Sequence, residues 1–256
     1  MHAAALAAIA IMIGSVAWQA YGWAQERAVN LTYESGRGDN PDQSADADLG
    51  FFESISDAAA TSSTPDEIAL IGPNIESQLL INFAVMNAEG TYTPETALRV
   101  GGQMAAAASN VKVSHPTYDL ASLDTTADTS AARVERYKQD MGEAFKPLAG
   151  NTRPEFEPFA LYVETKEERH LTTLRAVASS YRESATNGLR IEVPADAAPM
   201  HVNTLNAMQA YAAVIDALAD NADDPITSAA LLVSFNTTEN DLRTALAAYE
   251  PYYASK

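Results

Sequence analysis

The side chains able to do chemistry are few, and their spacing excludes most of the reactions they suggest. There is no cysteine, so disulfide frameworks, thiolate zinc sites, iron–sulfur clusters and cysteine nucleophiles are excluded together. The histidines are His2, His115, His170 and His201, and none forms an i, i+4 ligand pair. Glu167-Glu168-Arg169-His170 supplies one Glu-x-x-His motif. A carboxylate-bridged di-iron site in a helical bundle needs two such motifs, and the second is missing. A charged patch on a solvated helix face is the plainer reading. The His-Glu-x-x-His of zinc proteases, the Gly-x-Ser-x-Gly of hydrolases, Ser-x-x-Lys and the P-loop are all absent. Gly101-Gly102 has no Lys-Ser/Thr pair beside it and reads as a helix contact. Asp46, Asp48 and Gly50 lack the sixth-position glycine of a calcium loop. Arg37-Gly38-Asp39 spells an adhesion tripeptide at the frequency chance allows, and Asn30-Leu31-Thr32 and Asn236-Thr237-Thr238 are formal glycosylation acceptors. No catalytic residue, no metal site and no cofactor is expected.

Three residues are candidates for binding: His201, Asn206 and Tyr181. Five residues on a helix subtend about 140° beyond a full turn, so His201 and Asn206 do not share a face. His201 falls in a first helical turn beside Val193-Pro194. Its structural role would be to satisfy connector backbone groups otherwise left orphaned, and Asn206 would bond across to a neighbouring helix. Their binding role would be to line a ligand pocket with Tyr181 and the aromatic residues of the last helix, because buried polar groups need partners.

The elements that must hold these residues are helical. Hydrophobic residues make up 47% of the chain, but aromatics only 8%, and alanine supplies much of the rest. Thr64-Pro65-Asp66-Glu67 is a capping box with proline at the first helical position, and Gly72-Pro73 interrupts the helix it starts. Ile75, Leu79, Phe83 and Met86 recur at helical spacing up to Gly90. Thr93-Pro94-Glu95 opens the next helix, and residues 110–129 read as extended. Val134, Tyr137, Met141 and Phe145 mark another helix. Residues 157–187 read as one long helix with the inward stripe Phe159, Val163, Leu171, Leu174, Ala178, Tyr181 and Ala185, capped by Gly188. Residues 199–219 form the next helix, and Asp224-Pro225 starts a short one. Thr238 with Asp241 reads as a further cap, after which Leu242, Leu246, Tyr249 and Tyr253 face inward. No segment alternates as a strand does, so the class is all-α, a bundle of about six to seven helices.

Ahead of the bundle, residues 3–24 carry no charge and end in Trp18, Tyr21 and Trp23. A helix of about 20 residues spans the roughly 30 Å hydrocarbon core, and aromatic residues favour its interface. Residues 1–24 are therefore expected to be a transmembrane anchor. The competing reading is a cleaved signal with a small-x-small site at Gly22 and Ala24. Either way the rest lies outside the cytoplasm. Residues 25–64 read as a disordered acidic linker, because low hydrophobicity and excess charge cannot offset the entropy of ordering. Residues 65–110 then read as a helical hairpin and 111–256 as the helical bundle.

A chain of motifs resembles a family of uncharacterised, membrane-anchored helical proteins of candidate-phyla-radiation bacteria (Patescibacteria). The matching features begin in residues 73–108, with an apolar helix, the Gly90-Thr91-Tyr92-Thr93 turn and a second small-residue helix. They continue through Tyr118-Asp119-Leu120 with Leu123 into a helix bearing Tyr137 and Gly142. Val193-Pro194 followed by His201 and Asn206 is the most telling part, and Asp224-Pro225 with Tyr249, Tyr252 and Tyr253 completes it. The resemblance covers about residues 65–254 and the anchor. It implies an anchored, outward-facing helical domain and no established reaction.

The net charge of −18 argues against nucleic-acid binding. After Arg190 only Arg243 and Lys256 are basic, so the distal surface would repel anionic lipid and favour basic partners, unless it serves only to keep the domain soluble. The expected function is that of a non-enzymatic envelope protein. Held in the cell membrane by a single N-terminal pass, it would bind or scaffold other envelope proteins, with a secretion or surface-appendage assembly as a suggested setting. The alternatives are a small-ligand-binding helical domain and, last, a metal-dependent bundle enzyme built on Glu167 and His170.

Overall fold

A computed structural model of the chain describes residues 62–88, 90, 93, 96, 99–102 and 111–256. The expected anchor at 1–24, nearly all of the linker at 25–64 and part of the second hairpin helix lie outside the described residues. The described residues belong to one compact unit, Gly50–Lys256, and form an α-helical bundle.

The chain enters through β1 (Ser62–Ser63), which pairs in parallel with β2 (Lys112–Val113). Helix α1 (Pro65–Ala69) starts at the capping box: the Thr64 N–H donates to Glu67 Oε2 at 2.7 Å, and Thr64 Oγ1 accepts from the Glu67 N–H. Leu70 breaks the run, and α2 (Ile71–Ala88) restarts with Gly72 and Pro73 in its first turn. Gly90, at φ +67°, closes the stretch in the left-handed conformation that glycine adopts without strain. Thr93 and Thr96 cap each other's backbone N–H at 3.1 and 2.9 Å, and residue 96 and residues 99–102 are helical.

Residues 111–130 are mostly extended, as expected, apart from a 3₁₀ turn at Leu120–Ser122 capped by Asp119. Strand β3 (Asp124–Thr126) pairs in parallel with β4 (Glu192–Pro194), placing Thr125 opposite Val193. These pairs are two or three residues long and act as staples between helices. Helix α3 (Ala131–Ala144) is capped by Ser130 and buries Val134, Tyr137 and Met141 at helical spacing. A 3₁₀ segment, Lys146–Gly150, leads on toward α4 (Glu157–Thr165). Helices α5 (Glu168–Gly188), α6 (Ala198–Asp220) and α7 (Pro225–Ala247) form the centre, and α8 (Tyr249–Ala254) ends the chain. The core runs through Leu174, Leu205, Met208, Ile215, Leu218 and Leu231, none of which has exposed surface.

Four local readings are corrected. Residues 157–187 are two helices, broken at Lys166, which lies at φ 57° and closes α4 through its N–H to the Tyr162 carbonyl at 2.7 Å. Residues 164–169 contain no apolar side chain, so a helix continued through them would gain no packing. Val163, placed on the inward stripe, is 52% exposed, and Tyr162 is buried instead. Second, α7 is long and continuous. Thr238 caps nothing; its hydroxyl donates back to the Ser234 carbonyl at 2.9 Å inside the helix. Leu231, Phe235 and Leu242 are buried along α7, and that shared face carries it past Thr238. Third, Gly188 is the last residue of α5, and Leu189 after it keeps right-handed helical angles. Glycine is needed there for proximity: a Cβ would sit 2.6 Å from Leu205 Cδ2 on α6. Leu246, also expected inside, is exposed.

The residues expected to form the hairpin contact the bundle directly. The Gly72 N–H donates to Thr227 Oγ1 of α7 at 2.9 Å, and Ile75 packs with Ile71, Leu79 and Ile226. Beyond that contact the exposed apolar residues of α2 include Leu80, Ile81 and Val85. Pro65–Ala88 is long and apolar enough to cross a membrane by length and composition, with mean hydropathy 1.3 and 17% of the window buried.

Candidate functional site

One group of buried polar side chains lies where α6 begins. Strand β4 sets α6 on its path, and Pro199 in its first turn needs no backbone partner. His201 follows, with no exposed surface. Its Nε2 lies 3.0 Å from the Gly188 carbonyl oxygen at the end of α5. A carbonyl only accepts, so Nε2 carries a proton. Its Nδ1 lies 2.8 Å from the hydroxyl of Tyr137 on α3, and the Tyr137 hydroxyl is aligned to donate to Tyr249 of α8 at 3.3 Å. The Tyr137 and His201 rings meet edge to face at 5.7 Å, and Tyr249 stacks on Tyr253 at 5.7 Å. Burial pushes the Tyr137 phenol well above its ordinary range and raises that of Tyr249. Burial also holds the His201 imidazole below its ordinary value, partly offset by the Gly188 carbonyl. His201 was expected to satisfy backbone of the Val193-Pro194 connector; the backbone group that it bonds is the Gly188 carbonyl at the end of α5.

Asn206 lies further along α6 and on another side. Its Oδ1 accepts from the Tyr118 N–H at 2.7 Å and its Nδ2 donates to the Tyr118 carbonyl at 2.9 Å. Gln209, one turn on, donates to the Tyr118 hydroxyl at 2.9 Å. Asn206 thus holds an extended segment at both backbone atoms, where sequence reasoning expected a neighbouring helix. Tyr181 of α5 donates to Glu155 at 2.7 Å and meets the Tyr211 ring edge to face at 5.0 Å. Burial, then the Glu155 bond, raises its phenol. No hydrogen bond or ring contact joins His201, Asn206 and Tyr181 among the described residues, so they occupy three separate surroundings.

A cavity of about 450 Å³ lies elsewhere, lined by Asp140, Glu143, Asn187, Arg190 and Glu192 with Ala144 and Ile191. Arg133 of α3 is nearly buried behind it. Its guanidinium donates to the Glu192 carbonyl, pairs with the Glu192 carboxylate at 3.1 Å and reaches Asp140 at 3.9 Å, while its Nε has no partner. Glu192 thereby ties β4 to α3, while the Asp140 pair lies within α3 itself. Glu167, half of the Glu-x-x-His motif, pairs with Arg169 at 2.6 Å. Among the described residues no three His, Asp or Glu side chains gather as metal ligands.

Sequence reasoning missed Glu155, Tyr118 and Arg133. Tyr137 had been placed in the core, and its hydroxyl was the available clue, since a buried tyrosine oxygen requires a partner. No protein-family model, curated protein or solved structure matches the chain. The functional reading therefore rests on geometry and sequence chemistry.

Proposed function

We propose that this chain is a non-enzymatic, membrane-anchored protein of the cell envelope whose extracytoplasmic helical domain binds and scaffolds other proteins. The observation that carries the reading is α2, whose Leu80, Ile81 and Val85 face outward with Leu80 70% exposed. Isolated exposed leucines are ordinary, but neighbouring ones on a helix of low charge mark an interaction surface. Its first turns are fixed to the bundle by Gly72 and Ile75, which presents the remainder at a defined position. The engagement of His201, Asn206 and Tyr181 in holding the fold supports the same reading. Residues 3–24 remain the proposed anchor, on their length and lack of charge. The resemblance to anchored helical proteins of Patescibacteria is in keeping with it.

The test is a photo-crosslinking residue introduced at Leu80 of the full chain in its native membranes, with a second at Thr173 on the exposed face of α5 as control. The reading expects a discrete protein adduct at position 80 only, abolished by Ile81→Glu. Adducts to lipid alone would make α2 a membrane-inserted element and overturn the scaffold reading. Release of the full chain into the soluble fraction would remove the anchor.

A further inference from the structure

We propose that Tyr137, His201 and Tyr249 form an acid-released latch that holds the C-terminal helix α8 on the bundle. The geometry that suggests this is a shortage of one proton. Nε2–H is committed to the Gly188 carbonyl. In the neutral ring Nδ1 then only accepts, and it competes with the Tyr249 oxygen for the single Tyr137 proton, at 2.8 against 3.3 Å. Adding a proton at Nδ1 resolves the competition: Nδ1–H donates to Tyr137, and Tyr137 donates to Tyr249. Hydrogen bonding therefore does not oppose protonation. Charge does, because a buried imidazolium with no counter-ion is expensive.

Helix α3 presents the Tyr137 hydroxyl and α5 the Gly188 carbonyl, and through Tyr137 the network reaches Tyr249 of α8. Both ring nitrogens are taken by these neutral groups, and neither meets a carboxylate. The phenols cannot compensate by ionising, since burial raises both. Water is the remaining source of compensation. The shortest helix joined to this network is α8, six residues long, and it is the element most open to local release. Beside the packing of its tyrosines on the bundle, two polar fastenings hold α8. One is Tyr249, bonded to Tyr137 and to Thr204; the other is Asp196, which accepts from Tyr252 at 3.0 Å and from Lys256 at 2.6 Å.

The two fastenings respond to different pH windows. The His201 imidazole is depressed in the closed form, so the closed form binds fewer protons than the open one. Closure is then at full strength above the ordinary histidine value near 6.5 and weakens as pH falls below it. The Asp196 carboxyl is also depressed, chiefly by Lys256, so its share persists until pH falls below the ordinary carboxylate range. Between about pH 7.5 and about pH 5 the change is the uncompensated charge taken up by His201 beneath the first fastening, while the Asp196 fastening stays as it is.

The experiment is amide hydrogen exchange on the full chain across that window, corrected for intrinsic exchange, with the His201 ring followed by NMR in the same samples. Protection of residues 249–254 is expected to fall on the order of tenfold toward pH 5, while α5 and α6 change less than about twofold. The loss should share its midpoint with the ring titration. His201→Gln, whose amide can donate to Gly188 and accept from Tyr137, is expected to flatten the response. Unchanged protection of 249–254 while the ring titrates, or equal loss throughout the bundle, overturns the proposal. Should His201→Gln not fold, the coincidence of the two wild-type midpoints decides, and separate midpoints overturn it.

Discussion

Helices α2 and α6 are alike in composition and opposite in fate. Both are long, largely apolar and nearly free of charge. Thirteen of the 23 residues of α6 are buried, against two of the 18 in α2, namely Gly72 and Ile75. Apolar content therefore decides that a helix forms and seeks cover, and does not decide what covers it. The difference lies in the polar residues set among the apolar ones. In α6, His201, Asn206 and Gln209 each find a partner at a definite atom on another segment. Those bonds fix the rotation and height of the helix, which apolar packing alone leaves loosely specified. In α2 the comparable residue is Asn82, whose buried Nδ2 has no partner among the described residues. The region fastened by polar bonds is the region that carries the core.

The largest expected break in this contrast is Leu218→Ala, which deletes a fully buried side chain of α6. It should cost about 2–5 kcal/mol in urea unfolding, a lost transfer contribution plus a residual cavity. A cost below about 1 kcal/mol would mean that α6 is not the packed centre. Tyr137→Phe comes next. It keeps the ring and removes the hydroxyl, leaving His201 Nδ1 buried without a donor. A loss of about 1–3 kcal/mol near neutral pH is expected by the same measurement. Gly72→Ala probes the seam between α2 and α7. An added Cβ would lie 1.9 Å from Oδ2 of Asp224, the residue whose Oδ1 caps α7 by accepting from the Ile226 and Thr227 N–H groups. Displacing that cap should cost about 1–2 kcal/mol and raise hydrogen exchange in α2 well before α6.

What the sequence made legible follows from the same distinction. Helix starts with side-chain caps were readable at Thr64, Thr93 and Asp224, because the capping hydroxyl or carboxylate is local to the turn it closes. The extended stretch before α3 was readable as well. The break at Lys166 was not, because the run of charged residues around it is compatible with a solvated helix face, and only the packing of Tyr162 and Leu171 on their own sites separates α4 from α5. The continuity of α7 was obscured by Thr238, whose capping signature is cancelled by a bond within the helix. Of the candidate site, a bond from His201 to backbone was foreseen from the need of buried backbone for partners, but the partner is Gly188 at the end of α5 and not the connector. Helical spacing already separated His201 from Asn206, but the partners of the three residues, 64, 88 and 26 residues distant in sequence, were not legible. The bond of Asn206 to the Tyr118 backbone leaves no trace in residue type, because any residue but proline offers the same N–H and C=O.

The smallest expected effect is the sharpest test of α2. Leu80→Gln exchanges residues of similar helix propensity, so the helix itself is nearly unaffected and the change reports burial alone. With Leu80 70% exposed, the unfolding free energy of the isolated full chain should stay within about 0.5 kcal/mol of wild type. Were the side chain covered within the chain, by a segment outside the described residues, the same exchange would cost about 1.5–3 kcal/mol. The two outcomes differ by more than the error of a urea titration. A near-zero cost together with loss of the adduct at the neighbouring Ile81→Glu would place the stabilising surface of α2 in its complex, while a large cost would return α2 to the same class as α6.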